Sequence, residues 1–127
     1  MTEEQIRLNQ LSERAIGCAY KVGSALGRGF LESVYENALA HEFGKQSLQC
    51  RQQDRVVVRY DGIIVGDFQL DLIVEDTLVV EVKAVADITA NHEAQLLNYL
   101  KAAKLKLGLV LNFGGTSVQV RRKVNGF

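Results

Sequence analysis

The sequence predicts an α/β fold, a mixed β-sheet flanked by helices in the order α-α-β-β-β-α-β-β. Three observations carry this expectation. Two N-terminal stretches hold apolar residues at helical spacing, the segments after them hold apolar residues at alternate positions, and Leu107–Phe113 is almost wholly apolar. A period of 3.6 marks an amphipathic helix and a period of 2 a half-buried strand. A continuous short apolar run suits a strand covered on both faces.

Taken in order, residues 3–26 read as a helix whose stripe is Leu8, Leu11, Ala15, Cys18, Ala19, Val22 and Leu26, and Gly27-Arg28-Gly29 ends it. Residues 31–44 read as a second helix, with Leu31, Tyr35, Leu39 and Phe43 along one side and Gly44 as its stop. Residues 49–60 are strand-like, and Asp61-Gly62 is a hairpin turn signal leading into a strand from Ile63 to Val74. A third strand spans Leu78 to Val85 and a helix residues 90–104. Leu107–Phe113 is the fourth strand, and Gly114-Gly115 turns the chain into the last, Thr116–Val124. The helix between the third and fourth strands permits a parallel crossover, so the sheet should be mixed.

Composition bounds the rest. The chain has 127 residues, with no proline, repeat or linker, so residues 1–127 read as a single domain. Fifteen Lys plus Arg balance fifteen Asp plus Glu, so any phosphate-binding surface must be local. The apolar runs are too short to span a bilayer, and the start, Met1-Thr2-Glu3-Glu4-Gln5, is acidic with no apolar leader. Cys18 and Cys50 are the only cysteines and read as reduced, inert thiols. A cytoplasmic protein with no membrane partner is expected.

The second and third strands carry the chemistry. Phe68, Leu70, Leu72 and Val74 form one apolar face by alternation, with Gln69, Asp71 and Ile73 opposite; Leu78, Val80, Val82 and Ala84 share a face against Val79, Glu81, Lys83 and Val85. A two-residue hairpin loop would drive Glu81 and Lys83 onto the apolar face, where an isolated charge is too costly. A three-residue loop, Glu75-Asp76-Thr77, sets Asp71 opposite Glu81 and Gln69 opposite Lys83 and aligns the apolar faces. Like charges directly opposed destabilise a sheet, so a divalent cation or a cationic neighbour should offset them. Mg²⁺ takes one or two carboxylates plus waters and phosphate oxygens. The competing reading of Asp71, Glu81 and Lys83 is a solvated strand face, against which Ile73, Val79 and Val85 on the same face weigh.

At these residues the chain resembles a known group. Asp71 followed by Glu81-Val82-Lys83 is similar to the Asp…Glu-x-Lys core of PD-(D/E)xK nucleases. Gly29-Phe30-Leu31-Glu32-Ser33-Val34-Tyr35 resembles the signature of the bacterial GxxExxY family. So do Asp71–Val74, Glu81–Val85, His92-x-x-Gln95-Leu96-Leu97-Asn98-Tyr99-Leu100, Gly108–Gly114 and Arg121-Arg122, so the likeness covers nearly the whole chain. The resemblance implies a restriction-endonuclease-like fold with a mixed four-stranded core sheet. It implies Asp71 and Glu81 as ligands of Mg²⁺ or Mn²⁺ and Lys83 as the residue that orients water or polarises the phosphate. Glu32 would be the acid supplied by the preceding helix, and Gln95, through its Gln95-x-x-x-Tyr99 spacing, would lie over the site. Leu70 is a departure, because the family often has a small residue before the Asp.

Other residues read more plainly. Glu32 and Glu36 are neighbours on one helix face, and the family likeness favours Glu32. Tyr35 reads as packed, with its hydroxyl bonded near the site. Gly27-Arg28-Gly29 follows a helix and lacks a third glycine, so it fails as a nucleotide fingerprint and reads as a flexible corner. His92 reads as structural before catalytic, and His41 as solvated. Arg51, Arg55 and Arg59, with Lys101, Lys104, Lys106 and Arg121-Arg122-Lys123, read either as a phosphate-contacting surface or as scattered solubilising charge. The expectation is a Mg²⁺- or Mn²⁺-dependent phosphodiester hydrolase acting on nucleic acid, DNA in the first place, with a homodimer open. The alternative is a nucleic-acid-binding or protein-interaction module that keeps the fold without turnover.

Overall fold

The structure is a computed structural model that describes residues 1–126. Its elements are α1 (Glu3–Leu26), α2 (Glu32–Lys45), β1 (Cys50–Tyr60), β2 (Ile63–Val74), β3 (Leu78–Lys83), α3 (Ala90–Ala103), β4 (Leu107–Asn112) and β5 (Gln119–Val124). The order is the predicted one, in a restriction-endonuclease-like α+β arrangement. β3 stops at Lys83 instead of Val85 because the Asn112 side chain takes over there: its Oδ1 accepts from Val85 N–H and its Nδ2 donates to Val85 C=O, each at 2.9 Å.

The sheet runs β1-β2-β3-β4-β5, one strand more than the implied four-stranded core. Every neighbouring pair is antiparallel except β3 and β4, and α3 forms the crossover between those two. β4 is buried at every position, as a continuous apolar run requires. Capping boxes start the helices on either side. The Thr2 side chain accepts from Gln5 N–H and the Gln5 side chain from Thr2 N–H, and Thr89 and His92 repeat the exchange at α3.

Two apolar cores lie on opposite faces of the sheet. On one, Leu8, Ala15, Cys18, Ala19 and Val22 of α1 and Tyr35, Leu39 and Phe43 of α2 pack on Leu72, Val74, Val80, Val82, Leu109 and Leu111. On the other, Leu96 and Leu100 of α3 pack on Leu70, Ile73, Val79 and Val110. The face pattern of β2 therefore differs from the simple alternation predicted. Leu72 and Val74 face α1 and α2, but Phe68 and Leu70 face α3. The strand changes face at Asp71. The cause lies across the ladder, where Gln53 sits between the pairs Gln52↔Leu72 and Asp54↔Leu70 with φ of 51°, in the left-handed region. A non-glycine residue there is strained, and opposite it the two-residue repeat of β2 is reset.

Candidate active site

The turn between β2 and β3 is the three-residue one. Val74 pairs with Leu78, Ile73 with Val79 and Leu72 with Val80, so Asp71 and Glu81 come next in register. The regular ladder ends there and the two carboxylates replace it. Asp71 N–H donates to Glu81 Oε2 at 2.9 Å, and Val82 N–H donates to Asp71 Oδ2 at 2.8 Å. Each acid thus caps the opposite strand where the strands part, and the β2–β3 gap becomes a cleft with two facing carboxylates. Gln69, expected opposite Lys83, pairs instead with Arg55 of β1, because β2 has already left β3.

Glu81 is 4% exposed. Burial, then the charge of Asp71, pushes its carboxyl up to about 8, while the Asp71 N–H bond and Lys83 oppose the rise and Glu36 adds to it. Burial first, then the charges of Glu81 and Asp71, also hold the Tyr99 hydroxyl above its usual range, and a hydrogen bond with Gln95 works against that. So α3 brings Gln95 and Tyr99 to the rim of the cleft, Tyr99 half-buried against the Phe68 ring at 5.5 Å and Gln95 exposed. Lys83 is half-buried at the end of β3, on the Glu81 side by alternation.

A third carboxylate reaches the cleft from α2, and it is Glu36. Glu36 is buried, and its two oxygens accept from Gln52 Nε2 at 2.9 Å and Gln53 Nε2 at 2.8 Å. The same Gln53 nitrogen lies 3.3 Å from Asp71 Oδ1, so one amide links Glu36 to Asp71. Glu32 is exposed on the first turn of α2, one helical turn away, and has no such link. Gln53 is the residue that the sequence reading did not single out, and Glu36 entered it only as the neighbour of Glu32. The only signal for Glu36 was its place on the same helix face as Glu32.

Several other candidates are occupied elsewhere. Tyr35 is buried at the α1–α2 corner, donating to Gly27 C=O at 2.7 Å and accepting from Phe30 N–H at 3.2 Å. His92 Nδ1 accepts from Thr89 N–H in the α3 cap. Arg51 is paired with Asp54 and Asp76, and Arg55 with Asp67 at 2.9 Å, which favours solubilising charge over a phosphate surface along β1. Cys18 is buried and Cys50 half-buried, and burial pushes both thiols up, away from the reactive thiolate.

The donors at the cleft suit a hard divalent cation, because they are all carboxylate oxygens. Two facing acids, one of them forced toward its neutral form by burial, are what a metal's positive charge would relieve. Among the described residues no group of three or more His, Cys, Asp or Glu is assembled tightly enough to cage a metal alone. A two-carboxylate site with waters and phosphate oxygens completing the shell fits Mg²⁺ practice.

A solved structure, that of SSO0001, is similar in fold, with a TM-score of 0.59 at 16% identity over 98% of this chain. The chain spans 62% of that longer protein. Comparison with curated proteins returns no match. Residues 9–123 match the PD-(D/E)XK nuclease superfamily, a span that contains every candidate site residue. With the helix-flanked mixed sheet and the Asp71, Glu81 and Lys83 cleft in place, the chain belongs to the PD-(D/E)XK nuclease superfamily.

Proposed function

We propose that residues 1–127 form one catalytic domain, a Mg²⁺- or Mn²⁺-dependent nuclease that hydrolyses phosphodiester bonds of nucleic acid, DNA in the first place. The observation that carries this reading is the buried Glu81 carboxyl set against Asp71 in the β2–β3 gap and pushed up to about 8. A cation bound between the two acids would relieve both the burial cost and the repulsion from Asp71. Asp71 and Glu81 would hold the cation, which supplies charge neutralisation and an activated water.

The chain's own residues then divide the work. Lys83 places a fixed ammonium beside the phosphate as negative charge builds on it. Gln95 and Tyr99 orient the phosphate or water from α3. Glu36 is the third acid, and Gln53 keeps it from repelling Asp71 by donating to both. Glu32, on the exposed first turn of α2, is placed to act on the leaving side of the substrate only if the substrate itself reaches over that turn.

The test is cleavage of a panel of single-stranded, duplex, flapped and branched DNA and RNA with Mg²⁺ or Mn²⁺, run beside Lys83→Ala. The expected result is metal-dependent cleavage that falls by about 10²–10³-fold in the variant, as for loss of one preorganised charge-stabilising donor, with metal binding kept. Undiminished cleavage in Lys83→Ala would place the activity in another site or another protein. Binding across the panel with no cleavage anywhere would favour the module without turnover.

A further inference from the structure

A cavity of about 360 Å³ opens between the end of α1, the α1–α2 corner and the turn from β4 to β5. Tyr20, Ser24 and Arg28 line one side, and Phe113, Thr116 and Ser117 the other. We propose that this cavity binds one unpaired nucleobase of the substrate strand together with its phosphate, Tyr20 stacking on the base and Arg28 holding the phosphate. The proposal rests on the nuclease reading and adds to it a preference for substrates with a single-stranded segment.

Four observations support it. The volume lies within the range of small-ligand sites, about 300–1,000 Å³. The lining has a cation and hydroxyls but no carboxylate, which suits an anionic ligand. Arg28 makes no hydrogen bond or ion pair among the described residues, whereas Arg51 and Arg55 are taken by carboxylates. Tyr20 leaves 52% of its surface exposed at the wall, an aromatic face on which any base could stack.

The cavity is also preformed and joined to the proposed centre. Tyr35 stacks on Phe113 with ring centroids 4.6 Å apart while its hydroxyl bonds Gly27 C=O and Phe30 N–H, so one buried side chain fixes both walls. Phe113 N–H in turn donates to Lys83 C=O at 2.9 Å. A strand crossing the C-terminal ends of β3 and β4 would meet Lys83 first and this cavity next.

The probe is a short fluorescent oligothymidylate or oligouridylate, whichever binds more tightly, titrated by anisotropy into Lys83→Ala protein with Mg²⁺, in which cutting is slow against the time of the titration. Tyr20→Ala on that background should weaken binding by about 5- to 100-fold, the range for loss of one base–aromatic stack. Tyr20→Phe should restore it. Arg28→Ala should weaken binding and flatten its salt dependence. A blunt duplex, whose bases are already stacked, should be indifferent to Tyr20→Ala. Unchanged oligonucleotide affinity in Tyr20→Ala, no restoration by Tyr20→Phe, or an equal loss on the blunt duplex would overturn the proposal. Cleavage by the wild type with no dependence on Tyr20 or Arg28 would discard the cavity and keep the nuclease. Tyr20-dependent binding without cleavage by the wild type would keep the cavity and discard the nuclease.

Discussion

Glu81 concentrates the tension in this molecule. Its carboxyl is buried beside another acid and pushed up to about 8 from an ordinary value near 4.5. An acid whose folded-state value is raised binds its proton more tightly in the native state than in the unfolded one. Its contribution is therefore most favourable below about pH 4.5 and is lost as pH rises toward 8. Metal-free Glu81→Gln should abolish that slope. At pH 8 it should be more stable than the wild type by on the order of a few kcal/mol, and near pH 4.5 about equal. Thermal melts across this range in EDTA would show it. A variant less stable than the wild type at pH 8 would mean that the carboxylate is held by contacts that outweigh burial and Asp71. Metal affinity should move the opposite way, rising with pH as the proton leaves.

At the scale of the element, the candidate cleft exists because two regular ladders fail at one place. β2 leaves β3 after Leu72, and Gln53 of β1 takes φ of 51° in the position facing Asp71. The three-residue turn and the Asp71–Glu81 register were legible in the sequence, because parity leaves only one way to keep Glu81 and Lys83 off the apolar face. The change of face at Asp71 was not, since a glutamine gives no local signal for a left-handed residue. The link of Glu36 to Asp71 through Gln53 was equally hidden. Glu32 and Glu36 lie on one face of α2, and burial of Glu36 depends on Gln52 and Gln53 arriving from a strand distant in sequence. The β4–β5 turn holds the other side of the cleft. A Cβ on Gly114 would lie 2.3 Å from Val85 O and 2.4 Å from Val85 N, both backbone atoms that cannot turn aside. Gly114→Ala should therefore push the 84–86 segment outward and cost on the order of 1–3 kcal/mol, as overpacking does. It should also lower any cleavage rate by displacing Lys83, measured by melting and by turnover together. A fully active, fully stable Gly114→Ala would show that this contact does not position Lys83.

Across the whole molecule net charge is zero, and among the described residues no helix is long and apolar enough to cross a membrane. On the proposed reading, a substrate as charged as nucleic acid would be met by local features where β3 and β4 end: the acids of the β2–β3 gap, Lys83, the α3 rim and the cavity beyond Phe113. The pattern of two helices, a three-stranded meander and a helical crossover places all of them from segments far apart in sequence. The claim that joins them is that Asp71 and Glu81 hold a divalent cation. Calorimetric titration of Mn²⁺ at pH 8 tests it most directly. The wild type should bind with release of a proton and gain thermal stability, as any ligand specific to the folded state confers. Asp71→Asn and Glu81→Gln should each remain folded and lose most of that response, and Lys83→Ala should keep it. An Asp71→Asn, Glu81→Gln double variant that binds Mn²⁺ as well as the wild type would contradict the account.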